Sequence, residues 1–130
     1  MSLYKPPKWL LKFLGEEDRL TIQCANLMRL NNLCFHHTFN EGKRTHTQQQ
    51  KVTGFGVLKG IPDFLIFHPS KGYSGLAVEL KVKYKKGGKN YCSPAQKQAQ
   101  DRMTQYGWKA VTVWDFEEFK TELKNYFDKK

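Results

Sequence analysis

Two carboxylates and a lysine stand where two short apolar segments of the chain meet. Asp63 stands at the start of the strand predicted within the first segment, residues 60–67, whereas Glu79 and Lys81 lie within the second, residues 76–82. Because side chains alternate along a strand, Glu79 and Lys81 point to the same face. Carboxylates beside an apolar sheet are costly unless they are compensated, and a divalent cation bound between them would compensate them.

The two segments are predicted to pair as a β-hairpin. Both are rich in branched and aromatic residues, and residues 68–75 between them are dense in turn formers. A simpler interpretation of Glu79 and Lys81 stays open, because both side chains would also suit the solvated face of an edge strand.

The motifs in this region have the order of a known nuclease signature. Pro62-Asp63 followed by Glu79-Leu80-Lys81 resembles the PD-(D/E)xK pattern. With Gly60-Ile61 before it, Asn40-Glu41-Gly42 upstream and Ser93-Pro94-Ala95-Gln96 downstream, the chain resembles the virus-type replication-repair nuclease (VRR-NUC) family over about residues 16–128.

This resemblance implies an α/β fold with a restriction-endonuclease-like core, in which helices flank a small mixed central β-sheet. It also implies a metal-dependent, structure-selective endonuclease that cuts branched or junction DNA during replication, recombination or repair. Mg²⁺, for which Mn²⁺ would substitute, is expected to bind Asp63, Glu79 and the backbone carbonyl of Leu80. Lys81 is expected to orient or activate the attacking water.

An acid from the first helix completes the metal site in the resembling family, which implies that role for Glu17, with Glu16 as the substitute. Helical spacing of apolar residues predicts this helix over about residues 16–30. Glu17 shares a stripe with Leu20 and Cys24, so its carboxylate is expected to project towards the sheet. Acids in a first turn also complement the helix dipole, and that alone would explain them.

Gln96 has two competing interpretations. Ser93, Pro94 and Gln96 form the pattern of a capping box with proline at the first helical position. The resemblance instead implies a catalytic role for Gln96. We expect that one residue serves only one of these roles fully, and the sequence leaves the choice open.

The remaining pattern predicts four further elements and one domain, residues 1–130, with residues 1–14 as an N-terminal arm. A strand is predicted at 34–39, a short polar helix at 45–53, a strand at 108–114 and a last helix capped by Asp115. His36 and His37 face opposite ways on a strand and lack a third ligand at suitable spacing, so no zinc site is predicted.

A net charge of +10 over 130 residues predicts a polyanionic partner. The resemblance places the turn that begins at Asn40 at the rim of the site, with Lys43 and Arg44 as phosphate contacts. A basic loop beside the carboxylates is also expected to contact phosphates, through Lys83, Lys85, Lys86 and Lys89. Solvated loops are the alternative. Two other functions also remain open: a non-catalytic basic module that binds nucleic acid, or a nuclease subunit that needs a partner.

Two features bear on environment and assembly. No segment has the apolar length to cross a bilayer, and three cysteines without C-x-x-C spacing favour a reducing cytoplasm.

Cutting both strands of a symmetric junction calls for two sites, so a homodimer is predicted. The arm is expected to pack on the domain or on a second subunit, and the apolar residues available for self-association are Trp9, Leu10, Phe13, Leu14, Tyr126 and Phe127.

Overall fold

The computed structural model describes residues 3–39, 45–82 and 92–128 of the chain. The helices are α1 (Lys8–Leu11), α2 (Glu16–Leu30), α3 (His46–Gly54), α4 (Pro94–Gln105) and α5 (Phe116–Phe127). The strands are β1 (Phe35–His37), β2 (Phe64–Ile66), β3 (Leu76–Leu80) and β4 (Lys109–Val113). None of the described helices is long and apolar enough to span a membrane.

The four strands form one mixed sheet in the order β1-β2-β3-β4. β1 and β2 pair antiparallel, as do β2 and β3, whereas β3 and β4 run parallel and are joined through α4. The predicted α/β fold and the predicted β2–β3 hairpin are therefore confirmed. β1 is shorter than the predicted strand over 34–39, because it pairs with only the three residues of β2.

The two faces of β3 are different environments, as the alternation predicted. Leu76, Val78 and Leu80 point into the main core together with buried side chains of α2 and α5. Lys81 follows the strand, and its side chain lies with that of Glu79 on the other face, where both meet Gln96 of α4. The hydrophobic core thus fixes the strand that presents the polar residues on its far side.

Short local signals set the helix ends close to their predicted positions. Asp18 accepts a hydrogen bond from the Gly15 N–H at the start of α2. Thr45 and Gln48 form a capping box on α3, and Asp115 caps α5 by accepting from the Glu118 N–H. These caps satisfy N–H groups that have no partner within the helix.

The N-terminal arm is attached to α2 by hydrogen bonds. The Asn26 side chain exchanges two with the Tyr4 backbone, and the Arg19 guanidinium donates to the carbonyls of Leu11 and Leu14. Trp9 and Phe13 each remain 67% exposed, so they do not pack onto the domain.

The apolar set proposed for self-association needs a correction near the C-terminus. Tyr126 is only 1% exposed, because its ring lies in the core and its hydroxyl donates to the His68 carbonyl. Phe127 also packs against the core. Both residues of α5 therefore pack within the monomer. Of the residues proposed for self-association, only the exposed ones of the N-terminal arm remain available.

Candidate active site

Two carboxyl groups face each other across the β2–β3 hairpin. Phe64 pairs with Val78, so the same register extended by one residue sets Asp63 opposite Glu79. Asp63 Oδ2 accepts a hydrogen bond of 2.7 Å from the Leu80 N–H, which fixes this carboxylate against β3. Glu79 is 3% exposed. The hairpin therefore holds two acids together at the edge of the core.

The position of Glu79 strongly disfavours its charge. The pKa of Glu79 is raised from 4.5 to about 8, mainly by burial and next by the nearby charge of Asp63, although the charge of Lys81 acts to lower it. Glu79 Oε1 accepts a hydrogen bond from Gln96 Nε2 at 3.0 Å and lies 3.6 Å from Lys81 Nζ. In the described part of the chain, Glu79 Oε2 is buried without a hydrogen-bond partner.

Gln96 joins the acid to the lysine and also caps α4. Its Oε1 accepts from Lys81 Nζ at 3.0 Å and from the Ser93 N–H at 2.8 Å, while the backbone N–H of Gln96 donates to Ser93 Oγ. Gln96 therefore makes the capping contacts and the contacts with Lys81 and Glu79 together, and its catalytic role stays a prediction. An amide oxygen has two lone pairs and the amide nitrogen is a separate donor, so the two sets of contacts are compatible.

Gly60 lets the start of the hairpin lie directly against α4. Its φ is +80°, and a Cβ atom there would lie 2.5 Å from the carbonyl of Ala95. This close approach brings the segment that leads to Asp63 against the helix turn that carries Gln96. A residue with a side chain would push these two parts of the site apart.

A cleft of about 990 Å³ opens over these groups, and Asp63, Glu79, Lys81 and Gln96 line it. Glu17, in the first turn of α2, is exposed and lines the same cleft, and its role in the metal site stays a prediction. Among residues 3–39, 45–82 and 92–128, no group of three or more His, Cys, Asp or Glu side chains is arranged to hold a metal ion. The structure therefore brings Glu17 to the cleft without forming a preassembled three-acid cluster.

Several cleft residues were not singled out as candidates from the sequence. α3 contributes His46, Gln49 and Thr53, and the end of β1 contributes Thr38. Thr38 Oγ1 is the other buried side-chain oxygen without a partner among the described residues. The polar run that forms α3 has no apolar periodicity, so the sequence carried no signal for which of its residues would face the site.

The predicted DNA-contact residues fall outside the described ranges. They are Asn40, Lys43 and Arg44 in one gap and Lys83, Lys85, Lys86 and Lys89 in the other. The two gaps are bounded by residues near the cleft, since Thr38 lines it before the first and Lys81 lines it before the second.

A search of solved structures finds a chain described as "VRR_NUC domain protein", with a TM-score of 0.70 and 23% sequence identity. The alignment covers 88% of this chain and 94% of that one. No family model matches the sequence, and no curated protein matches it. The predicted resemblance is thus confirmed at the level of the fold, which is that of a VRR-NUC domain with a mixed sheet flanked by helices.

Proposed function

We propose that this protein is a metal-dependent endonuclease that hydrolyses phosphodiester bonds in DNA, with a preference for branched or junction structures. The observation that carries the proposal is the buried Glu79, which lies beside Asp63 and accepts a hydrogen bond from Gln96, in a cleft of about 990 Å³. One fold hosts many functions, so these side chains and not the fold indicate the activity.

The residues present fit a hard divalent cation. Glu79 Oε2 is buried without a hydrogen-bond partner among the described residues, and the adjacent Asp63 carboxylate repels its charge. A cation between the two groups would give Oε2 a partner and cancel the repulsion, whereas a shared water would supply only the partner.

The Leu80 carbonyl is a further candidate ligand. In a strand, the N–H and C=O of one residue point towards the same neighbour, and the Leu80 N–H points to Asp63. Its carbonyl is therefore directed to the side where the acids meet. Glu17 would act from across the cleft, directly or through metal-bound water, and Mg²⁺ commonly retains several waters.

The bound cation would supply Lewis-acid stabilisation of the phosphoryl oxygens and an acidified water. The chain's own contribution is positional. Lys81 Nζ is held by Gln96 Oε1 and by Glu79, so its positive charge stays at the cleft, where it can orient the water and offset charge that develops on the phosphate. Gln96 fixes Lys81 and Glu79 relative to one another.

The nucleic-acid partner is supported by the net charge of +10 and by basic residues that adjoin the cleft-lining segments in the sequence. We propose that Lys43, Arg44, Lys83, Lys85, Lys86 and Lys89 contact phosphates. Replacing Lys85 and Lys86 by neutral residues should then weaken binding for every sequence and reduce its salt dependence.

The homodimer remains a proposal as well, and exposed Trp9 and Phe13 are its best-supported surface.

The decisive experiment incubates the purified protein with a fluorescently labelled four-way junction and with a linear duplex of matched sequence, in Mg²⁺ or in EDTA. We expect cleavage of the junction in Mg²⁺ only, and slower cleavage of the linear duplex. Binding without cleavage would favour a non-catalytic module, or a subunit that needs a partner protein. Equal cleavage rates for the two DNAs would overturn the structure preference.

A further inference from the structure

Helix α3 lies along the cleft yet buries none of its own residues. Its cleft-facing residues are His46, Gln49, Val52 and Thr53, and the Asp63–Glu79 pair lines the same cleft. We propose that α3 is a substrate-contact helix and that Gln49 is its central residue, which hydrogen-bonds to the nucleic-acid strand lying over the carboxylate pair. This inference rests on the proposed function and names the part of the chain that contacts the substrate.

The spacing of the polar residues places them on one side of α3. His46, Gln49 and Thr53 are separated by three and four positions, so at 3.6 residues per turn they share a face. Thr53 Oγ1 donates to the Gln49 carbonyl, and the Gln49 N–H donates to the Thr45 carbonyl. These bonds are made by the Gln49 backbone and leave its side-chain amide for an external partner.

Three consecutive glutamines in α3 have three different environments. The Gln48 side chain accepts from the Thr45 N–H and completes the capping box. Gln49 and Gln50 are both exposed, but Gln49 lines the cleft and Gln50 does not. In the part of the chain that is described, no hydrogen bond occupies the Gln49 amide. Substitutions at Gln49 and Gln50 can therefore distinguish the effect of lining the cleft from the effect of lying in α3, because the two side chains are identical.

Packing does not account for the polar face of α3. A helix held by its core contacts would bury an apolar stripe, and α3 has no buried residue. The volume of the cleft, about 990 Å³, also exceeds what a metal ion with its waters requires, since one water occupies about 30 Å³ in the liquid. Space remains between α3 and the carboxylates for sugar, base and phosphate groups.

The chemical character of this wall suits a nucleotide. The Gln49 amide offers a donor and an acceptor, a combination that recognises base edges and also binds sugar or phosphate oxygens. Val52, Val57 and Leu58 add apolar groups to the lining of the same cleft, which suit the faces of sugars and bases. Neutral groups make these contacts, so they should contribute affinity without releasing counterions.

The test compares Gln49→Ala with Gln50→Ala, which have the same change in helix propensity. Fluorescence anisotropy of a labelled DNA junction is measured in EDTA, so that no cleavage is needed. We expect Gln49→Ala to weaken binding about 3- to 10-fold, the range of one or two net hydrogen bonds, with the slope against log salt unchanged. Gln50→Ala should bind as wild type does.

A second pair of variants, Gln49→Glu and Gln50→Glu, introduces the same charge at the same two positions. Gln49→Glu should weaken binding more than Gln49→Ala, because the carboxylate would lie against the strand, and clearly more than Gln50→Glu. Equal losses for the two glutamate variants, equal binding by the two alanine variants, or no binding by the wild type would each overturn the inference.

The outcomes separate this inference from the proposed function. If the wild type binds in EDTA but does not cut in Mg²⁺, and Gln49→Ala binds more weakly than Gln50→Ala, the endonuclease proposal fails and the contact role of α3 stands. If the wild type cuts but the two alanine variants bind equally, the endonuclease proposal stands and α3 is not a substrate-contact helix.

Discussion

Gln96 and Glu79 are joined by a hydrogen bond of 3.0 Å, from Nε2 to Oε1, that connects the first turn of α4 to strand β3. The other end of the same amide holds Lys81 and the Ser93 N–H. The capping geometry of a helix is thereby coupled to the position of a buried acid, so a change in one is expected to displace the other.

Variants of the capping box should separate helix stability from chemistry. Ser93→Ala removes a cap only, and we expect it to lower the free energy of unfolding by about 1 kcal/mol with cleavage largely retained. Gln96→Ala should lower it further, because Glu79 and Lys81 lose a buried partner, and should reduce the cleavage rate more than tenfold. Denaturant unfolding and cleavage assays on both variants give the comparison. Equal cleavage rates for the two would show that Gln96 is a cap only.

The stability of the metal-free protein should depend on pH through Glu79. Because burial and Asp63 raise its pKa in the folded state from 4.5 to about 8, the folded state binds more protons than the unfolded state between these values. The contribution of this protonation to the free energy of unfolding is complete below about pH 4.5 and is lost as the pH rises to about 8. The free energy of unfolding should fall with a slope of at most about 1.4 kcal/mol per pH unit over this range.

Glu79→Gln should remove this part of the slope, since an amide does not titrate. Denaturant unfolding in EDTA at several pH values would measure it for both proteins, and Asp101→Asn, at an exposed position of α4, is a suitable control. Parallel pH profiles for wild type and Glu79→Gln would contradict the assignment.

Metal binding and catalysis should respond differently to the acids and to the lysine. Asp63→Asn and Glu79→Gln are expected to weaken Mg²⁺ binding and to abolish cleavage, because each removes a charged oxygen ligand. Lys81→Ala should abolish cleavage while Mg²⁺ still binds, since an ammonium is not a ligand. Titration calorimetry and cleavage assays test this, and Glu17→Gln in the same series decides whether Glu17 contributes to the site. Cleavage retained by a purified variant would remove that residue from the mechanism.

The N-terminal arm should control assembly if the protein is a homodimer. The double variant Trp9→Ser/Phe13→Ser removes two side chains that are each 67% exposed, and we expect it to sediment as a monomer at micromolar concentration. Tyr106→Ser is the matched control, because Tyr106 is 71% exposed and lies at the end of α4. A monomeric wild type, with and without DNA, would reject the homodimer, and dissociation by Tyr106→Ser alone would place the interface elsewhere.

Local signals in the sequence predicted most of the fold. Turn formers before Leu76, alternation along β3 and the Ser93 cap are each encoded within a few residues, so the hairpin and α4 were predicted close to their observed positions. The approach of Gly60 to Ala95 and the burial of Tyr126 depend on how distant segments pack. For the same reason the sequence did not indicate which of the adjacent glutamines of α3 faces the cleft.

The buried pair Glu79 and Lys81 also distinguishes what folding requires from what chemistry requires. Gln96 would benefit any chain with this helix, active or not, because it caps α4. Glu79 and Lys81, at 3% and 5% exposure, have no such benefit, since apolar residues of similar volume at buried ion pairs are often neutral or stabilising. In a sequence of this fold that has lost its activity, glutamine at the cap would therefore be uninformative, whereas an acid and a lysine retained at these two buried positions would indicate a working site.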